Sequence, residues 1–315
     1  MVLGWEQALG VALALGLGAV VAKAVPGRWG SRVGPWAREA AVVLALYAAW
    51  QEGSALVATH TRGGAAHGRA VWRVERWLHL PGERSLQQAV LRAPTLMRGL
   101  NYYYAVVHVQ DVIVCLLWLF WRHRDRYRSD RNALAWLTLV TLVVQAVPVA
   151  PPRLLPATGV VDAGRVLGYA IYPRNGLADA AQLTAMPSVH VAWAAWVTWT
   201  VVRSSTSRWR WLVCAHLVVT VTSVIATGYH WWLDGIVAVI MLGGVAGAQA
   251  LAGRAPPSVS TVAVAVADTD TVASVGSDPH ATSRRRKRWG DEVHEPGGDG
   301  PAGLPDLSGH DGLRQ

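Results

Sequence analysis

The apolar stretch LDGIVAVIMLGGVAGAQALA, residues 233–252, decides the fold class of this chain. It contains one charged side chain, that of Asp234, near its beginning. A helix of about 20 apolar residues is long enough to cross the hydrocarbon core of a bilayer. The stretch therefore predicts a transmembrane helix.

Further apolar blocks precede this one along the chain. The predicted crossings are 8–25, 38–58, 100–120, 133–149, 188–202, 211–227 and 233–252. Only 16% of the 315 residues are charged, whereas about 25% are charged in a typical soluble domain. Cys115 and Cys214 lie inside apolar blocks, where we expect them to pack as small hydrophobic residues. We predict an all-α integral membrane protein.

The arginines between the apolar blocks predict the orientation. The connections 26–37, 121–131 and 203–210 hold two, five and three arginines, and the positive-inside rule assigns such loops to the cytoplasm. The N-terminus then lies outside and the C-terminus inside. The net charge of +9 is explained by these loops without a nucleic-acid partner. The abundance of Ala, Arg, Gly and Val is typical of a GC-rich bacterial genome, so we expect a bacterial plasma membrane.

Two segments differ from the membrane blocks. Segment 59–99 has seven arginines, although the orientation places it outside, and its spaced apolar residues over 69–92 predict two amphipathic helices on the membrane surface. The polar tail 253–315 is predicted to be disordered and cytoplasmic. We therefore expect an N-terminal helix with a basic loop (1–37), a membrane core (38–252) and the tail.

Three polar segments fall at predicted outer ends of the helices. We call them the first motif (PVAPPRLL, 148–155), the second motif (AMPSVH, 185–190) and the third motif (ATGYHWWLD, 226–234). Each is modest evidence by itself, because interfacial arginines and histidines are common. All three are predicted to meet on one face of the membrane.

The third motif has the spacing of a nucleophile and its orienting acid. His230 and Asp234 are four residues apart, so a helix that begins near His230 would place them on one face. A carboxylate bonded to one ring nitrogen fixes the tautomer and makes the other nitrogen a better nucleophile. Gly228 allows a tight turn and the close approach of a headgroup. A histidine and an aspartate that merely lie at a helix end are an equally good explanation of this pair alone.

The other two motifs supply an anion site and an acid. Ser188 predicts a helix N-terminus, whose N–H groups favour an anion, and His190 in the first turn could protonate a leaving alkoxide. Arg153 follows two prolines, and a guanidinium holds a phosphate with two hydrogen bonds. Phosphoryl transfer through a phosphohistidine requires a cation, a nucleophile, an orienting carboxylate and an acid. No carboxylate cluster indicates a metal, and we expect no cofactor.

The three motifs resemble the signatures of the type 2 phosphatidic acid phosphatase superfamily. The match is closer to its branch of inositol phosphorylceramide synthases and their bacterial relatives, the inositolphosphotransferase-like proteins, and it extends over residues 40–252. The resemblance implies a six-helix core with both ends in the cytoplasm, preceded here by one extra N-terminal helix. It implies a metal-independent enzyme that acts on a phospholipid or polyprenyl phosphate, with water or a polyol as the acceptor.

The resemblance also implies a role for each motif residue. Arg153 and Ser188 would bind the phosphate. His190 would be the general acid, and His230 would be the nucleophile, oriented by Asp234.

Three positions depart from the superfamily's pattern. This chain has Ala146, Val189 and Val224 where the pattern has lysine, glycine and arginine. Two phosphate-binding cations are therefore missing. A phosphodiester carries less charge than a phosphomonoester and needs fewer cations, which favours a transferase, although Arg165 or Arg174 could compensate.

Polar residues also interrupt the predicted crossing 100–120. An ionised group at the bilayer centre costs about 2.5–3.5 kcal/mol on insertion scales, so such groups usually face a cavity. We hypothesise that His108 and Asp111 line the path of the lipid headgroup. The alternative is that both residues lie near the outer interface.

Two other classes of function stay open. A non-catalytic membrane protein, such as a transporter or a scaffold, could retain the fold, although the histidines argue against it. A metal transporter could use His108, His190 and His230, but Arg153 among them disfavours a bound cation.

Overall fold

Helices dominate the residues that the computed structural model describes, which are 4–24, 28–59, 61–168 and 182–252. In chain order they are α1 (Trp5–Ala24), α2 (Arg28–Val57), α3 (Gly64–Trp77), α4 (Glu83–Leu91), α5 (Pro94–Arg122), α6 (Arg124–Gln145), α7 (Ala163–Val166), α8 (Val189–Ser204), α9 (Leu212–Ala226) and α10 (Trp232–Ala252). The predicted all-α fold class is confirmed. The predicted tail 253–315 and Arg174 lie outside the described residues.

Five helical segments within the described ranges are long and apolar enough to cross a membrane. They are Trp5–Ala22, Val33–Val57, Pro94–Arg122, Arg208–Ala226 and Trp232–Ala252. The chain is therefore a multi-pass membrane protein. The other two predicted crossings, 133–149 and 188–202, coincide with α6 and α8. Helix α6 begins with a run of charged residues and α8 has only 16 residues, so these two crossings stay predictions.

The basic connections are shorter than the sequence predicted. Helix α2 begins at Arg28, inside the predicted loop 26–37, and only His123 separates α5 from α6 inside the predicted loop 121–131. Arginines do not end a helix, because their long stems let the charged heads reach water while the backbone stays helical. Segment 203–210 does contain a turn, since α8 ends at Ser204.

Helix α8 lies at the centre of the bundle and packs against α5, α6, α9 and α10. Ala192, Ala194 and Ala195 are buried on it, and such small side chains let neighbouring helices approach closely. The fully buried Trp196 donates its indole N–H to the carbonyl of Asp130 at 3.0 Å. Because the second motif opens α8, this packing positions that motif in the middle of the protein.

Helices α3 and α4 occupy the segment where two short amphipathic helices were predicted. They are more than a surface layer, because α3 contacts α10 and α4 contacts α9 and α5. Gln87 of α4 is buried, and its amide group donates to the carbonyls of Val161 and Ala226 and accepts from the N–H of Val161. These bonds hold α4 against the loops that carry the first and third motifs.

Candidate functional site

The three motifs meet through main-chain hydrogen bonds. Val149 of the first motif forms a parallel bridge with Thr184, directly before the second motif. The N–H of Arg153 donates to the carbonyl of Gly228 at 3.3 Å, which joins the first motif to the third. The predicted convergence of the motifs is therefore built mainly by backbone.

Gly228 occupies a position that only glycine fits well. Its φ is +77°, and an added Cβ would lie 2.8 Å from Cγ1 of Val160 and 3.2 Å from Cβ of Arg153. The close approach that the sequence indicated at this residue is therefore made by the protein's own first-motif loop.

Replacing Gly228 with alanine is expected to destabilise the protein by about 1–3 kcal/mol, because the backbone is left-handed there and the new methyl group has no space. The matched control is Gly235→Ala, whose Cβ would meet Val191 at an ordinary 3.6 Å. Thermal unfolding in detergent compares the two variants. An unchanged melting temperature in Gly228→Ala would contradict this account.

His230 is held in one tautomer. Its Nδ1 lies 2.8 Å from the carbonyl oxygen of Ala185 and 3.2 Å from Oδ2 of Asp234. Both neighbours are acceptors, so Nδ1 carries the hydrogen and Nε2 keeps its lone pair. Oδ2 of Asp234 also accepts the N–H of Trp231 at 2.8 Å, which fixes the carboxylate.

His190 lies in a cluster of aromatic rings beside His230. The centroid of its ring is 4.3 Å from that of Tyr104, 4.4 Å from that of His108 and 5.8 Å from that of His230. Tyr104 in turn stacks on Tyr229 of the third motif, with the centroids 4.6 Å apart. The second and third motifs therefore present their histidines to the same small volume.

Ser188 is fully buried and is committed to protein contacts. Its Oγ accepts the N–H of Val191 and caps α8, and its own N–H donates to the carbonyl of Asp234. The hydroxyl therefore fixes the start of α8, and the main-chain N–H joins the second motif to the third.

Arg153 is buried beneath the third motif. Its guanidinium lies over the ring of Tyr229, 3.9 Å from the centroid, and Nη2 donates to Oε1 of Gln182 at 2.7 Å. Its Nε lies 3.4 Å from Oδ2 of Asp162. The cation is thus oriented from three sides before any substrate binds.

Comparison with known protein families identifies this arrangement. A model of the PAP2 superfamily matches residues 69–248, which is more than half of the 315 residues. The chain belongs to the PAP2 superfamily. No curated protein and no solved structure matches the chain. Membership indicates an enzyme of the phosphatase type that acts on phosphorylated lipids.

The PAP2 match defines the part of the chain that carries the family's fold. It begins in α3 and ends in α10, so it includes all three motifs and leaves out α1 and α2. The resemblance drawn from the sequence began earlier, at residue 40. The segment α3–α4, which packs against the motif loops, is therefore part of the PAP2 region.

Arg165, one of the two arginines that could compensate for the missing cations, contacts the same carboxylate as Arg153. Its Nε lies 3.0 Å from Oδ2 of Asp162, the same oxygen that contacts Arg153. Two guanidinium groups therefore converge on one carboxylate. Val224 is buried in α9, and Ala146 follows α6, so neither supplies a charge to this PAP2 site.

Two polar residues of α5 were predicted to line the headgroup path. His108 lies in the site, and Asp111 lies one helical turn further along α5. His108 is 4% exposed and contacts the ring of His190. Asp111 pairs with His216 of α9, with its Oδ2 2.7 Å from Nε2. Tyr103 completes this deeper cluster, because its hydroxyl lies 2.5 Å from Nδ1 of His216.

Several residues of the site were missed by sequence reasoning. Tyr104 precedes His108 by four residues, and that spacing on one helix could have identified it. Asp162 lies shortly after the first motif and Gln182 lies further along the chain, and neither carried a recognisable pattern. His216 stood alone in an apolar block, where a single histidine gives no signal.

Proposed function

We propose that this PAP2 protein is a metal-independent lipid phosphatase or phosphotransferase that works through a phosphohistidine on His230. The observation that carries the proposal is the pair of acceptors at Nδ1, Ala185 and Asp234, which leaves Nε2 of His230 as the nucleophilic lone pair.

The proposed reaction has two halves. Nε2 of His230 attacks phosphorus, and the bond from phosphorus to the lipid alcohol breaks. His190 gives its proton to the leaving alkoxide. In the second half, His190 takes the proton of the acceptor hydroxyl while that oxygen attacks phosphorus and frees His230. Arg153 stabilises the charge on the non-bridging oxygens.

The charge of the site favours a phosphodiester as the donor. Arg153 and Arg165 contribute two positive charges, and Asp162 between them removes one. A phosphomonoester carries about 1.5–2 negative charges at neutral pH, whereas a diester carries one. The net charge of this cluster matches the diester. This supports placing the protein with the inositol phosphorylceramide synthase-like transferases, with a polyol or another alcohol as the acceptor.

A panel of lipids in detergent tests the proposal. The purified protein would be incubated, in the presence of chelator, with phosphatidate, a polyprenyl phosphate and phosphatidylinositol. A lipid with an exchanged headgroup identifies a transferase, and release of free phosphate identifies a phosphatase. Failure to convert any of the three lipids would favour the non-catalytic transporter or scaffold instead.

We further propose that His108 and Asp111 line the path of the headgroup. The support is the contact of His108 with the ring of His190 and the pairing of Asp111 with His216 one helical turn deeper. Asp111→Asn is expected to weaken lipid affinity several-fold. If this variant kept both its activity and its affinity, the assignment would be withdrawn.

The active site is proposed to face the outside of the membrane, with the C-terminus in the cytoplasm. The support is the run of arginines at the opposite ends of the helices, where Asp130 pairs with Arg203 and Glu39 pairs with Arg131. Ala157→Cys, in a loop beside the first motif, tests the orientation. A maleimide reagent that cannot cross the membrane should label this cysteine in intact cells, and labelling only after lysis would reverse the orientation.

A further inference from the structure

Two buried carboxyl groups lie behind the third motif and have no part in the proposed reaction. Glu75 of α3 is 0% exposed and Glu83 of α4 is 2% exposed. An acidic residue is almost never fully buried unless it has a partner. The burial of these two residues therefore requires a structural or functional explanation.

Glu75 completes the N-terminus of the helix that carries Asp234. The first turn of a helix leaves N–H groups without partners, and the residue at the cap position usually satisfies one of them. In α10 that residue is Trp231, whose side chain has no acceptor and whose indole N–H is bonded to the carbonyl of Ala150. Oε1 of Glu75 accepts the N–H of Leu233 at 2.8 Å in its place. The cap of this helix thus comes from another helix.

Glu75 and Glu83 lie near each other. Oε2 of Glu75 and Oε1 of Glu83 are both buried without a hydrogen-bond partner among the described residues, and Glu83 is one of the groups that raise the pKa of Glu75. Two ionised carboxylates in contact without water repel each other strongly, so such a pair retains one proton. With that proton on Oε2 of Glu75, Oε1 remains the acceptor for the N–H of Leu233.

The charged groups around Glu75 agree with a retained proton. Glu83 faces it from α4, Asp234 faces it from α10 with His230 behind, and Arg76 on its own helix lies 4.0 Å from Oε2 of Glu83. Burial, together with Glu83 and Asp234, raises the pKa of Glu75 to about 9. Arg76 balances the charge that remains on Glu83.

We propose that Glu75 and Glu83 are positioning residues that share one proton, and that Glu75 holds the first turn of α10 so that Asp234 and His230 keep their relative position. The catalytic part of this inference rests on the proposed function. The shared proton and the cap concern the fold alone, so they can be tested without a known substrate.

The activity test compares two substitutions of one residue. Glu75→Gln keeps an acceptor for Leu233 and a donor for Glu83, so we expect activity within about three-fold of wild type at neutral pH. Glu75→Ala removes the cap and is expected to lower kcat about ten-fold, with a smaller change in KM. Above pH 9 the wild type should lose activity relative to Glu75→Gln, because only the wild type has an ionisable proton on residue 75. Full activity in Glu75→Ala would overturn the positioning role.

The stability test needs no substrate. In the folded protein Glu75 keeps its proton up to about pH 9, whereas in the unfolded chain it ionises near its ordinary value of 4.5. The stability that the protonated group contributes is therefore complete below that ordinary value and is lost progressively as the pH rises to about 9. The melting temperature of the wild type should fall across this window relative to that of Glu75→Gln.

The exposed Glu6→Gln on α1 is the matched control and should follow the wild-type curve. If the curves of the wild type and of Glu75→Gln ran parallel, the shared proton would be excluded. If the wild type converted no lipid, the proposed function would fail, and the melting curves would still decide on the carboxyl pair.

Discussion

Replacing His230 with alanine is expected to lower the rate of lipid conversion by about four orders of magnitude or more, because the variant has no nucleophile. The loss should fall on kcat for every donor lipid, since each one would pass through the same phosphohistidine. Binding of lipid should change little, because Arg153, the cation proposed to hold the phosphate, is oriented by its own contacts with Tyr229 and Gln182.

Trapping of the intermediate gives the direct measurement. A phosphohistidine is stable in alkali and labile in acid, so radiolabelled lipid phosphate should leave an alkali-stable label on the wild type and none on His230→Ala. His123→Ala is the matched control, because His123 lies between α5 and α6 and contacts the ring of Trp118. A label that persists in His230→Ala would exclude this residue as the nucleophile.

Arg153→Met is expected to lower kcat/KM by about 10²- to 10³-fold, the usual effect of removing a preorganised charge from a transition state. Methionine keeps an unbranched apolar stem and removes the guanidinium that lies over the ring of Tyr229, so the loss mainly reports the charged group. Arg153→Lys keeps the charge but loses the planar fork, and we expect it to recover only part of the activity. Both variants are assayed with the donor lipid that the wild type prefers.

The matched control for Arg153 is Arg92→Met, which removes an exposed arginine directly after α4. It should leave kcat/KM unchanged. If Arg153→Met retained wild-type kcat/KM, the phosphate would have to bind elsewhere, and Arg165, which shares Asp162 with it, would be the first alternative.

The sequence alone predicted the fold class and the contacts between residues that are close in sequence. Apolar blocks predict membrane helices because the bilayer requires them, and the i, i+4 spacing correctly indicated that His230 and Asp234 would be neighbours. The ends of the helices were harder to predict from the sequence. The basic segment 121–131 marks one side of the membrane by its charge, but charge does not end a helix, and the segment is helical on both sides of His123.

The residues that contact the site from other parts of the sequence could not be predicted. Asp162 and Gln182 reach Arg153 only after the chain has folded. The spacing of the apolar residues in segment 69–92 gave no indication that Glu75 would be buried. Such a residue is identified by the helix end that it contacts, and that information exists only in three dimensions.

The main-chain bonds between the motifs have a consequence for how this protein could diverge. Val149 pairs with the strand-like residues before Ala185, and Arg153 pairs with Gly228, through main-chain atoms that every residue type except proline possesses. Most side chains in these loops, other than those of Arg153 and Gly228, can therefore be exchanged during evolution while the proposed catalytic groups keep their places. A lineage could gain or lose cations at positions such as 146 and 224, and so change its preferred lipid, without rebuilding the scaffold.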